Sequence, residues 1–220
     1  MDPILKENLA NLDAFWAAMP HTADGEQKVH NGWPHKIWRG DFDMARSHSI
    51  DDKLWVTIKK PNSSEYSRVK LRLLAMALKL DDVEAKLDKN VRITDKKESL
   101  KVWIKACSIS FNYAIEQASI EPLLANPSAT LFTYRLDDDI AGTAITYQTQ
   151  GTMGVHQMGV NPAFRGRGVA KKLMLHLIRL AQQQRCSLVT LQASQAGQPL
   201  YEKIGFTALT EIYHLRSRAN

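Results

Sequence analysis

Leu5, Leu9, Leu12, Trp16 and Met19 recur at helical spacing along the first twenty residues. Asp2 and Pro3 read as an N-cap followed by a proline at the first helical position, and Pro20 stops the run, so the pattern predicts an amphipathic helix. His21 to Gln27 is polar, holds Gly25 and predicts a loop. From Val29 to Phe42 the aromatic residues are interrupted by Gly32 and Pro34, which predicts short edge strands with a bend. Leu54-Trp55-Val56-Thr57-Ile58 is a strand ended by Lys59-Lys60-Pro61. Asn62-Ser63-Ser64 offers caps for a helix through Leu80, with Val69, Leu73, Ala77 and Leu80 on one face. Asp81 to Asn90 is highly charged and marks a boundary between residues 1–90 and 91–220.

Beyond it the pattern changes. Val91-Arg92-Ile93-Thr94 predicts a strand, and residues 98–125 a helical region broken by Pro122. Leu131–Leu136, Ile140–Tyr147 and Thr152–Val160 predict three strands, joined by turns at Asp137-Asp138-Asp139 and Thr149-Gln150-Gly151. Asn161-Pro162 ends the third. A strong helix then opens at Arg165-Gly166-Arg167-Gly168, with Val169, Ala170, Leu173, Met174, Leu177, Ile178 and Ala181 as its apolar stripe and Lys172, His176, Arg179 and Gln183 as its wet face. Leu188–Gln192 predicts a buried strand, followed by a short helix ending at Gly205 and one or two closing strands over Phe206–Leu215. Strands alternating with helices give an α/β protein: a central mixed sheet flanked by helices, preceded by a smaller α+β region.

Composition removes several classes. The 220 residues are 44% hydrophobic and 24% charged, the ordinary balance of a globular protein. No apolar run approaches a membrane span, the acidic start Met1-Asp2-Pro3 is unlike a signal peptide, and the expected location is the cytoplasm. Cys107 and Cys186 cannot form a disulfide framework, and Cys186, opening a buried strand, reads as packing. The seven histidines show no metal-ligand spacing, so no metal is expected. The net charge of +6 belongs wholly to residues 91–220, because residues 1–90 hold 14 basic and 14 acidic side chains. A localised positive field attracts a polyanion, either nucleic acid or a phosphorylated small ligand.

The stretch Gln157 to Ala170 favours the second. A strand runs into a glycine-rich basic turn that opens a helix, whose free N–H groups and partial positive charge suit an anion. Gly166 and Gly168 remove Cβ atoms that would hold a phosphate off, and Arg165 and Arg167 add charged donors. A pyrophosphate fits such a turn. A dinucleotide fingerprint would need a third glycine where Lys171 stands, a P-loop would need Gly-Lys-Ser/Thr, and an RGG-type nucleic-acid segment would repeat.

Arg165-Gly166-Arg167-Gly168-Val169-Ala170, followed about thirty residues on by Leu200-Tyr201-Glu202-Lys203-Ile204-Gly205-Phe206, resembles the GNAT acyltransferase superfamily over residues 91–220. The resemblance implies acetyl-CoA as cosubstrate. It implies that Met158, Gly159 and Val160 pair with the pantetheine arm where the strands splay, with the Val160 N–H polarising the thioester carbonyl. It implies that the backbone from Gly166 through Lys171 holds the pyrophosphate, and that Tyr201 protonates the departing thiolate. Ser194 stands where many members have asparagine. Residues 1–90 resemble a partial, degenerate copy of the same fold.

An alkyl amine with a pKa of about 10 must lose a proton before it attacks. Many family members carry a glutamate where this chain has Gly154. His156, two residues along on the same face, is the candidate base, against the plainer reading of a packed histidine. Trp33, Pro34, Trp38 and Trp55 are candidates for a wall of the acceptor pocket or for the core. The function expected is acetyl transfer to a primary amine of a small molecule or peptide by direct attack in a ternary complex. Alternatives are transfer of a longer acyl group, a non-catalytic acetyl-CoA sensor or interaction module, and nucleic-acid binding. The partner expected is an amine acceptor, not a membrane or nucleic acid; a homodimer is compatible with the sequence.

Overall fold

A computed structural model describes residues 1–43, 53–81, 83–95 and 97–216, apart from the side chain at position 98. The chain opens with α1 (Pro3–Ala17), capped by the Asp2 carboxylate, which accepts from the N–H groups of Ile4 (2.7 Å) and Leu5 (3.1 Å). Four short strands follow: β1 (His21–Asp24), β2 (Gln27–His30), β3 (Lys36–Arg39) and β4 (Leu54–Thr57). The expected loop at 21–27 is therefore a hairpin turning at Gly25, whose φ of 57° supplies the left-handed residue the turn needs.

The helix predicted through Leu80 is instead β5 (Val69–Lys79), with helical backbone confined to one turn at Tyr66–Arg68. Leu, Ala, Met and Lys favour a helix by intrinsic propensity, but tertiary pairing overrides so weak a preference. Leu74, Met76 and Leu78 face one core while Leu73, Ala75 and Ala77 face the other way, and both backbone edges are paired. The signal was the unbroken apolar run Leu73–Leu78, the mark of a strand covered on both faces.

Then come β6 (Val91–Thr94), α2 (Lys97–Phe111), α3 (Gln117–Ile120) and a one-turn helix at Glu121–Ala125. After them run β7 (Ala129–Leu136), β8 (Asp139–Thr149), β9 (Thr152–Val160), α4 (Val169–Gln183), β10 (Leu188–Ala193), α5 (Gln198–Ile204) and β11 (Thr207–Arg216). The closing segment is one strand, bent by two register shifts against β5.

The described strands form one sheet in the order β1-β2-β3-β4-β11-β5-β10-β9-β8-β7-β6. Only the β3–β4 and β9–β10 pairs are parallel. Residues 1–90 and 91–220 thus share a sheet: β5 lies between β10 and β11, and β11 pairs in turn with β4. The charged stretch at the expected boundary lies along α4, where Asp88 N–H donates to His176 Nδ1 (2.9 Å) and Gln182 Nε2 donates to Val83 O (2.8 Å). Helices α1 and α2 cover one face of the sheet and α4 and α5 the other, each over its own apolar core.

Candidate active site

The parallel pair β9–β10 opens midway. Leu188–Leu191 pair with Thr152–Val155, and beyond that point β10 keeps β5 as its neighbour while β9 continues with β8. A bulge lies at the parting: the β8–β9 register shifts between Thr143 and Ile145, and Gln157 takes a φ of 47°. Tyr113 Oη donates to Gln157 Oε1 (2.9 Å) across this bulge.

Past the bulge the ladder alternation sets which groups face the gap. Asn161 N–H donates to Ala141 O (2.9 Å), so the Gly142–Val160 pair is a non-hydrogen-bonded one, and Val160 turns its N–H and C=O away from β8. The Val160 carbonyl accepts from Arg165 Nε (3.3 Å), which leaves the N–H facing the opening. Met158, two residues back, lines the same opening. Gly159 faces α2, where a Cβ would come within 2.7 Å of the Phe111 ring.

The turn into α4 is built around two left-handed glycines, Gly166 (φ 76°) and Gly168 (φ 75°). Space around both is open, so backbone conformation rather than crowding requires glycine there. Gly168 offers no capping side chain, and Lys172 N–H is already bonded to Gly168 O (3.0 Å). The N–H groups of Val169, Ala170 and Lys171 therefore form the unsatisfied end of the helix. The two arginines are partly committed elsewhere: Arg165 braces Val160 O and Ser110 O (3.1 Å), and Arg167 lies over the Phe164 ring at 5.3 Å. The free donors of this turn are its backbone N–H groups more than the guanidinium groups.

Tyr201 projects from α5, with its ring edge-on to Phe206 and packed over Gly197. Burial pushes its hydroxyl up to about 12, so it stays protonated at neutral pH. Ser194 Oγ accepts from Gly197 N–H (3.2 Å), which caps the turn into α5 while the residue stays exposed at the gap. Glu202 accepts from Gln198 Nε2 (2.7 Å), away from Tyr201.

His156 differs from expectation. Its ring stacks on Phe15 of α1 (centroids 3.9 Å apart), and its Nε2 lies 3.1 Å from Asn11 Oδ1. Asn11 Nδ2 donates to Tyr147 O and Thr149 Oγ1 (both 2.9 Å), which fixes the amide orientation and makes His156 Nε2–H the donor. Burial lowers its pKa to about 3, so the near-neutral titration that recommended it as a base is lost. Asn11 also fills the room at Gly154, where a Cβ would sit 1.8 Å from Asn11 Oδ1. Sequence reasoning missed Asn8 and Asn11, although both interrupt the apolar stripe of α1. Asn8 is fully buried and bridges Met76 O (2.9 Å) and Leu191 O (3.3 Å).

From the gap a cavity of about 650 Å³ extends beneath α1 along the sheet. Tyr201, Met158 and Ser194 line it near the gap; Phe15, Trp16 and Trp33 form aromatic walls; Lys36 and His214 line it from β3 and β11. Of the candidate aromatics, Trp33 and Pro34 line the cavity, whereas Trp38 is core, packed edge-on to Trp16. Among the described residues no group of three or more His, Cys, Asp or Glu is disposed to hold a metal ion, and no helix is long and apolar enough to cross a membrane.

The fold is an α/β one with a splayed parallel pair beside a glycine turn at a helix start, and comparison with known proteins gives its family. The Acetyltransferase (GNAT) family profile matches residues 97–206, and the chain belongs to that family. It is 32% identical over 85 residues to glucosamine 6-phosphate N-acetyltransferase of Trypanosoma brucei brucei, covering 36% of this chain and 58% of that protein. It is 32% identical over 109 residues to the ribosomal protein bS18-alanine N-acetyltransferase of Haemophilus ducreyi, covering 44% of this chain and 75% of that one. Across its full length the fold is similar to a GCN5-related N-acetyltransferase from Kribbella flavida, with a TM-score of 0.67 at 12% identity and 97% of that chain covered. A second such enzyme, from Sphaerobacter thermophilus, aligns over 74% of this chain and 58% of its own with a TM-score of 0.56 at 16% identity.

Proposed function

We propose that the protein transfers an acetyl group from acetyl-CoA to a primary amine by direct attack. The observation that carries this reading is the parting of β9 from β10, with Tyr201 and Met158 lining the cavity, the Val160 N–H turned away from β8, and β9 leading into the open N-terminus of α4. The names of the two curated relatives, both N-acetyltransferases, support the amine acceptor.

Each part has work suited to it. The N–H groups from Gly166 to Lys171 would hold the pyrophosphate, using positive backbone dipoles that cost no side-chain ordering. Met158 and Ser194 would flank the pantetheine arm. Acetyl-CoA supplies an activated thioester, so the protein's task is alignment and charge stabilisation. Val160 N–H would donate to the carbonyl oxygen as negative charge gathers there. As the amine nitrogen bonds to the carbonyl carbon and the carbon–sulfur bond breaks, Tyr201 would give its proton to the departing sulfur. The proton the amine loses would pass through cavity water and restore the Tyr201 hydroxyl, because His156, held neutral and non-basic by burial, does not take it.

Calorimetric titration with acetyl-CoA tests the reading. Micromolar binding to the wild type, lost in an Arg167→Glu/Gly168→Asp double variant, is the expected result. Acetyl-CoA binding without turnover of any amine would leave a sensor. No binding to the folded wild type would sink the reading.

A further inference from the structure

The far part of the cavity holds two polar side chains that the acyl-transfer chemistry does not use. Lys36 is 9% exposed, and its ammonium group has no hydrogen-bond or salt-bridge partner among the described residues. His214 is 2% exposed, and neither of its ring nitrogens has a partner. The sheet brings the two together: Lys36 pairs with Leu54, Leu54 with Arg216, and His214 lies two residues before Arg216 on the same face. Both line the cavity, and among the described residues no aspartate or glutamate does. Two described carboxylates on neighbouring segments are already engaged. Asp13 accepts from Lys28 (2.6 Å) and Trp38 Nε1 (2.8 Å), and Glu116 pairs with His35 (3.6 Å).

Burying an ammonium group without a counter-charge is costly, and folded proteins almost always pair it. Here burial draws the Lys36 pKa down to about 8, which still leaves it mostly charged at neutral pH. A cation with no partner among the described residues, beside an unsatisfied imidazole at one end of an aromatic-walled cavity, is complementary to an anion. At the other end stands the gap where the amine must reach the thioester. Tyr113 links the two ends, with its hydroxyl on Gln157 and its ring 6.3 Å from Trp33.

We infer that the acceptor is an amine bearing an anionic group, a carboxylate or phosphate separated from the nitrogen by an apolar spacer, and that Lys36 with His214 receives the anion. This rests on the acetyl-transfer reading for the amine end only; the anion end is testable on its own.

Three probes share one spacer: benzylamine, 4-(aminomethyl)benzoate and 4-(aminomethyl)phenylphosphonate. Quenching of tryptophan fluorescence reports binding to the whole chain without cofactor, because Trp16 and Trp33 line the cavity. The expected result is that at least one anionic probe binds about 10- to 100-fold more tightly than benzylamine, in line with a charged hydrogen-bonded contact. Whichever anionic probe binds tighter identifies the source of the charge. Lys36→Met should bring the ratio to within about threefold, and Lys36→Arg should keep part of it. The same ratio should appear in kcat/KM with acetyl-CoA.

Replacing a buried unpaired charge with an apolar side chain of similar size is neutral or stabilising, so Lys36→Met should melt no lower than wild type. If it does not fold, Lys36→Gln replaces it in the comparison. Equal binding of all three probes, or a preference that survives loss of the lysine charge, overturns the inference and leaves acetyl transfer standing. Anion binding through Lys36 in a protein that does not bind acetyl-CoA would keep the pocket and overturn the acetyl-transfer reading.

Discussion

Two side chains at this site are changed by their surroundings. Tyr201 carries a phenol that is protonated at neutral pH in any setting, and burial raises its pKa further, to about 12. Tyr201→Phe removes that proton and little else, because the ring still packs on Phe206 and Gly197. The expected outcome is a loss of roughly 100-fold in kcat, with acetyl-CoA affinity unchanged by calorimetry. A variant at wild-type kcat would assign the proton to another donor. His156 shows the opposite case. Its imidazole is suited to base catalysis by chemistry, and only its contact with Asn11 and Phe15 reveals a neutral, packed ring. The sequence places His156 on the correct face of β9; it cannot say that α1 lies on top.

At the scale of elements, α1 is docked through polar contacts as much as apolar ones. Asn8 bonds the Met76 and Leu191 carbonyls, the latter at the parting of β9 and β10, Asn11 bonds the Tyr147 carbonyl of β8, and Gly154 makes room for the Asn11 amide. Gly154→Ala should therefore cost about 1–3 kcal/mol in urea denaturation, because the new Cβ must displace the Asn11 amide or the His156 ring. Combined with Asn11→Ala the cost should fall short of the sum of the two single variants, since the clashing oxygen is gone. Strict additivity would show that α1 is not seated on β9 in this way. The same scale explains the clearest difference from expectation. β5 carries residues that favour a helix, and it becomes a strand because β10 and β11 offer pairing on both edges and a core on both faces.

At the scale of the whole molecule, three of the described histidines are buried and neutral. Burial lowers His30 and His156 to about 3, and His214 well below the usual imidazole range. In the unfolded chain each takes a proton below about pH 6.5, whereas in the fold each stays neutral far lower. Their contribution is thus fully present above about pH 6.5 and is lost progressively as pH falls toward 3. Three such groups give a slope of up to about 4 kcal/mol per pH unit at the steepest point. Urea midpoints at pH 7, 6, 5 and 4 should drop accordingly, and His30→Phe should flatten the slope by about a third. A midpoint constant from pH 7 to 5 would mean that these rings are solvated.

Much of the catalytic half is legible in the sequence because it is local. The turn at Arg165–Gly168, the apolar stripe of α4, β9 over Thr152–Val160 and the cap at Gly205 depend on neighbouring residues and on backbone preferences that short stretches encode. The buried residues of α4 are the stripe its periodicity marks, Ala170 alone being only half covered. What tertiary structure alone decides is non-local. One sheet takes strands from both sides of the charged stretch, β5 is a strand, Asn11 occupies the room at Gly154, and Lys36 lines a cavity with no charged partner among the described residues. Each depends on contacts between residues tens of positions apart, and pairing energy across such separations leaves no periodic trace in either partner. A lysine reads as a solvated surface charge until the strands around it are assembled, and only the assembled sheet puts Lys36 in a cavity beside His214.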